Sequence, residues 1–110
     1  MSKAAYKIEV ENGEDEKGNT IFAACYLEEM NRDVLEAVLS MIQPKGNEKP
    51  KYLQAGEKIL NSCWIKKTKL ANGEEVESDD EILTKDSLLV AASMQAYELV
   101  DIKRTNITKL

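Results

Sequence analysis

Histidine is missing from all 110 residues. That removes the side chain best suited to proton transfer near neutral pH, and the commonest nitrogen ligand for zinc or iron. Cysteine is nearly missing too: Cys25 and Cys63 cannot build a four-ligand zinc site and form no Cys-x-x-Cys pair for thiol exchange. In a chain with an adequate core they read as buried thiols of a reducing compartment rather than as a disulfide. The five glycines, at 13, 18, 46, 56 and 73, are scattered and assemble no phosphate-binding loop. No apolar run reaches the 18 or so residues of a membrane helix, and residues 1–20 have no basic region feeding a hydrophobic one. The expected location is therefore the cytoplasm, with no membrane partner.

Positive charge is also in short supply. Fifteen Lys plus Arg against twenty Asp plus Glu leave a formal net charge of -5, which opposes attraction to phosphate backbones. The nearest basic cluster, Lys66-Lys67-Thr68-Lys69, is short and is followed by Glu74, Glu75, Glu77, Asp79, Asp80 and Glu81. Nucleic acid is not an expected partner. The carboxylates Asp79-Asp80-Glu81 follow no calcium-loop spacing and read as helix-end electrostatics. With no poised acid, base or nucleophile, the reading is non-enzymatic, without cofactor or metal.

What is present is enough for one domain with a modest core. Hydrophobic residues make up 43% and charged residues 32% of the chain. A chain of this mass buries about two-thirds of its extended surface on folding. Tyr6, Ile8 and Val10 alternate with Lys7, Glu9 and Glu11, the pattern of a strand with one wet face. Thr20–Leu27 resumes apolar and β-branched, so the two runs predict a hairpin with a flexible loop over 12–19.

Helical spacing follows. Asn31 is placed to cap a helix over 32–43 whose apolar face is Val34, Leu35, Val38, Leu39 and Ile42. Pro50 suits a first helical position, and Tyr52, Leu53, Ile59, Leu60, Cys63 and Trp64 face a second helix over 50–64. Gly56 inside it disfavours helix by about 1 kcal/mol relative to Ala, and reads as permission for a close helix crossing. Asn72-Gly73 marks a charged hairpin or irregular excursion over 66–78. Thr84 is placed to cap a third helix over 85–103, striped by Leu88, Leu89, Ala92, Ala96, Leu99 and Val100, widened by Ala91 and Met94, and packed against the first two helices. Residues 104–110 read as a tail or an edge strand. The expected architecture is a mostly helical α+β single domain, with three main helices, an N-terminal β-hairpin and room for a short second hairpin.

Aromatic residues are few, which makes their placement informative. Trp64, closing a helix beside a lysine-rich segment, reads as either a core plug or an interface anchor. Tyr26 and Met30, between strand and helix, carry the same two readings. These three are the candidate protein-interface residues.

Asn31-Arg32-Asp33-Val34-Leu35-Glu36-Ala37-Val38-Leu39, the run Leu53 to Trp64, Asp79-Asp80-Glu81 and the run Ala91 to Val100 carry a resemblance. Together they resemble small tail assembly chaperones of long-tailed bacteriophages and prophages, over about residues 20–103. Ala55, Gly56, Glu57, Cys63 and Trp64 fit the most characteristic stretch. After Trp64 the sequence departs, with Lys66 to Gly73 in place of a compact glycine and acidic turn. The resemblance implies a cytoplasmic protein of the bacterial host cell. It would bind the phage tape measure protein, keep it soluble and help recruit tail tube protein during virion assembly, with room for self-association. The competing expectation is a structural connector or minor structural protein of a head-tail assembly, with a host-directed regulator as a weaker third.

Overall fold

A computed structural model describes residues 4–100. Five strands and four helices follow in the order β1 (Tyr6–Glu14), β2 (Thr20–Leu27), α1 (Arg32–Ile42), α2 (Tyr52–Cys63), β3 (Trp64–Ile65), β4 (Lys67–Lys69), β5 (Glu75–Glu77), α3 (Glu81–Thr84) and α4 (Asp86–Tyr97). The expected mostly helical domain with three main helices is not what forms. Helix accounts for about 40% and strand for 26%, the strands fall in two sheets, and no helical bundle dominates. The structure is a small α+β domain in which a sheet and its helices share the core.

Two local events account for the difference. Trp64, expected as the last residue of the second helix, instead turns extended at φ -58°, ψ 128° and pairs with Leu27, while Ile65 pairs with Tyr26. The unpaired edge of β2 supplies hydrogen-bonding groups that a further helical turn would leave unsatisfied. The expected 85–103 helix begins at Asp86 and ends at Tyr97, preceded by the separate turn α3. Thr84 caps nothing: its hydroxyl donates back to Glu81 O at 3.4 Å. As expected, α4 packs chiefly on α2, but its other main neighbours are α3 and β1 rather than α1. Pro50 precedes α2, which starts at Tyr52. Positions 104–110, expected as a tail or edge strand, lie outside the described residues, as does the expected helix beyond Val100.

The main sheet runs β1-β2-β3, antiparallel throughout, with Ile8 opposite Cys25 and Val10 opposite Ala23 on the face that meets the helices. Their alternation with Lys7, Glu9 and Glu11 fixes the register, because a one-residue slip would expose the whole apolar set. Of the loop expected over 12–19, Asn12 to Glu14 belong to β1. There Gly13 takes φ +89°, and the register shifts between Glu11 and Glu14. The turn beyond is held by the Asp15 carboxylate, which accepts from the N–H groups of Lys17 and Asn19 at 2.9 Å each. Asn12 reaches across to Glu81 Oε2 and receives Lys85 Nζ, both at 3.2 Å, tying the hairpin to α3. In α1, Asn31 Oδ1 accepts from Val34 N–H at 2.9 Å, the cap read from sequence.

The 66–78 segment is a two-stranded sheet in which Lys67 faces Glu77 and Lys69 faces Glu75 across the strands. It returns to the main sheet through Ser78, which sequence reasoning did not single out. The buried Ser78 hydroxyl accepts from Tyr26 N–H at 2.8 Å and donates to Ile65 C=O, so it stands in for a rung of the β2–β3 ladder. Ser78→Ala should therefore leave a buried donor and a buried acceptor unpaired and cost about 2 kcal/mol in urea unfolding. A loss within about 0.3 kcal/mol would show that the rung closes without the hydroxyl.

Beneath the sheet, Ile8, Val10, Ala23, Cys25, Leu27, Val38, Ile59, Leu60, Ile82, Leu88, Ala92 and Ala96 form one buried cluster. Where α2 crosses α4, Gly56 lies against the backbone of Ser93, so close that a Cβ on residue 56 would fall 1.8 Å from Ser93 O. The close crossing read from Gly56 is there. Among the described residues the Ser93 hydroxyl, buried at that crossing, finds no partner, so small size rather than hydrogen bonding is what this position uses.

Candidate protein-binding face

The three interface candidates from sequence are placed differently from one another. Tyr26 is only 7% exposed. Its backbone pairs with Ile65 of β3 and its N–H donates to Ser78. Met30 and Trp64 are half-buried and lean on the core cluster. Trp64 thus serves the core while keeping part of its surface open. The structure does not gather the three into one exposed face.

Beside Ile21 and Phe22, exposed on β2, a further apolar surface lies on the helices. Helix α4 is apolar almost all the way round, from Leu88-Leu89-Val90-Ala91-Ala92 to Met94 and Ala96. A helix of that kind is normally covered on every side. Here Leu88, Ala92, Ser93 and Ala96 are buried, but Val90 and Met94, on the side turned away from Leu88 and Ala92, are exposed. Tyr97 continues their stripe at spacings of four and three residues, and its ring meets that of Tyr52 on α2 with centroids 4.9 Å apart. Leu53 adjoins Tyr52. Tyr52, Leu53, Val90 and Met94 are each 42–46% exposed, large side chains left to water on two helices that pack together. Sequence reasoning assigned Tyr52 and Leu53 to a buried face and passed over Val90. The signal that was available is the lack of a polar side on α4: between Asp86 and Glu98 it carries no charge.

The remaining chemistry is sparse. Among the described residues no group of three or more His, Cys, Asp or Glu side chains is placed to hold a metal ion. Asp79 works locally, its Oδ1 accepting from Glu81 N–H at 3.0 Å and its N–H donating to Ala24 O at 2.9 Å. An open depression of about 500 Å³ lies over the β4–β5 sheet, rimmed by Lys67, Lys69, Glu75 and Glu77. A second lies between α1 and α2, beside Met41, Pro44 and Gln54. Among the described residues no helix is long and apolar enough to cross a membrane.

Cys25 and Cys63 are free and buried, inside the core cluster. Burial pushes the Cys25 thiol up to about 11 and raises that of Cys63 in the same direction, with the nearby Glu28 adding to the latter. Because a thiol is inert until ionised, both should resist thiol reagents until the protein unfolds. The unfolded Cys25 ionises near 9.0 and the folded one near 11. Its contribution to stability is therefore complete below pH 9 and declines as pH rises towards 11. Urea melts at about pH 8 and about pH 10.5 should show that decline, and Cys25→Ala should flatten it. Rapid native-state labelling of both thiols would contradict the placement.

Compared with protein-family models, with curated proteins and with solved structures, the chain gave no match in any of the three.

Proposed function

We propose that the protein is a non-enzymatic tail assembly chaperone that works in the cytoplasm of a bacterial host cell. It binds an aggregation-prone helical segment of a phage tape measure protein, keeps that segment soluble and helps recruit tail tube subunits. The observation that carries this reading is the exposed pair Val90 and Met94 on α4, joined through the half-buried Tyr97 to the exposed Tyr52 and Leu53 on α2. Scattered apolar side chains are ordinary, but a continuous stripe on an apolar helix is a surface that a partner covers. An amphipathic helix laid along it would bury its own apolar face in the same contact. Most of the residues behind the family resemblance lie on α1, α2 and α4, with Trp64 in β3 and Asp79-Asp80-Glu81 at the start of α3, and two of those helices carry the stripe.

Apolar burial needs neither nucleotide nor metal, and salt screens it less than it screens surface charge attraction. Coexpression with overlapping segments of the tape measure protein should therefore hold at least one segment in the soluble fraction, as a complex that survives moderate salt. Failure to bind or solubilise any segment would contradict the chaperone reading. Recovery in mature particles at fixed copy number would replace it with that of a structural connector.

A further inference from the structure

Among the described residues the outer edge of the main sheet is open. In the order β1-β2-β3, β1 is the outermost strand, and among the described residues it pairs with β2 alone. Which of its backbone groups face outward follows from the hydrogen bonds of β2. Tyr26 N–H donates to Ser78 and Ala24 C=O accepts from Asp79, so these two residues point away from β1. By alternation Leu27, Cys25 and Ala23 point towards β1, and their partners Tyr6, Ile8 and Val10 point back. Lys7, Glu9 and Glu11 are left with their N–H and C=O groups directed to the open edge.

Long open edges are usually interrupted by proline, a bulge or a covering loop, or guarded by charged side chains that admit only a strand of matching charge. Here the register is regular from Tyr6 to Glu11, and the bulge comes only beyond it. We infer that β1 pairs antiparallel with β1 of a second copy, about a two-fold axis through Ile8. The charge pattern selects both the occupant and the register. A two-fold axis at Lys7 would set two lysines opposite each other, one at Glu9 would set two glutamates opposite, and one at Val10 would set Glu9 opposite Glu11. The axis at Ile8 sets Lys7 opposite Glu9 of the second copy and Glu9 opposite its Lys7, with no like charges facing. The same register makes Lys7 and Glu9 a hydrogen-bonded pair, using the outward backbone groups, and places Ile8 against Ile8 on the core side. Within one copy Lys7 Nζ already meets Glu9 Oε1 at 2.8 Å, so the two side chains stand on the same outer face.

The product is a continuous six-stranded sheet. A two-fold axis perpendicular to it leaves both sets of helices on one side, so two copies of the α4 stripe would face the same way. The pairing does not depend on the identity of the partner that covers that stripe.

Sedimentation equilibrium of the full chain tests it. The wild type should approach twice the 12.4 kDa protomer mass as concentration rises through the micromolar range. Lys7→Glu alone, or Glu9→Lys alone, puts like charges opposite at two positions and should weaken association at least about tenfold. Lys7→Glu combined with Glu9→Lys restores opposite charges and should recover it. Both side chains are half exposed, so the fold should keep its circular dichroism in every variant. Glu9→Pro, which removes an outward donor, should abolish pairing. A monomeric wild type, a dimer that the single reversals leave intact, or a double reversal that stays monomeric would each overturn the inference.

Discussion

Gly56→Ala should lower the stability of the protein by about 3 kcal/mol or more, a fall in Tm of about 10–20 °C for a domain of this size. In an open helix the same change would stabilise, by about 1 kcal/mol, since Ala is the better helix former. The sign reverses because the new Cβ would lie 1.8 Å from Ser93 O and 2.5 Å from Ser93 C, and these are backbone atoms of α4 with no rotamer to escape into. The two helices must separate, which opens gaps between Leu60, Leu88 and Ala92 in the shared core. Asn61→Ala, on the exposed side of the same helix, is the control and should change stability by less than about 0.5 kcal/mol. Denaturant melts in which Gly56→Ala proves neutral or stabilising would show that α2 and α4 do not cross at this point.

Replacing Val90 and Met94 together by Glu should abolish capture of the tape measure segment, weakening it by at least about a hundredfold. Burying a side chain of this size is worth about 1.5–3 kcal/mol, and two carboxylates in the contact would need to be desolvated without partners. Both positions are exposed, and Glu is a good helix former, so unfolding free energy should move by less than about 0.5 kcal/mol. Undiminished capture by this folded variant would remove the stripe from the account.

How far the residues could be read in advance differed by element. Strand β1 was legible because Ile8 and Val10 alternate with charge, and α1 because Asn31 caps an amphipathic run. Gly56 was legible as a close crossing, since glycine inside a helical pattern needs such a reason. The mostly helical architecture failed where local pattern and tertiary pairing disagree. Trp64 continues an apolar helical spacing, yet the open edge of β2 draws it into a strand. Ser78 was invisible because a single serine after a charged hairpin carries no periodic signal, and its role depends on two strands distant in sequence. The exposed apolar stripe was not read in advance for a related reason. Apolar spacing tells which residues prefer burial, but not which of them the fold has room to cover, and Tyr52, Leu53, Val90 and Met94 remain outside.

The most direct test of the central claim is a photo-activated crosslinking residue placed at Met94 of the full chain, in cells assembling tails, with Lys45 as a control position on the exposed segment after α1. The account predicts a crosslinked species that contains the tape measure protein from position 94, none from position 45, and loss of the species from finished particles. Crosslinks from position 94 only to structural proteins of the finished particle, or none to the tape measure protein while position 45 captures it, would contradict it.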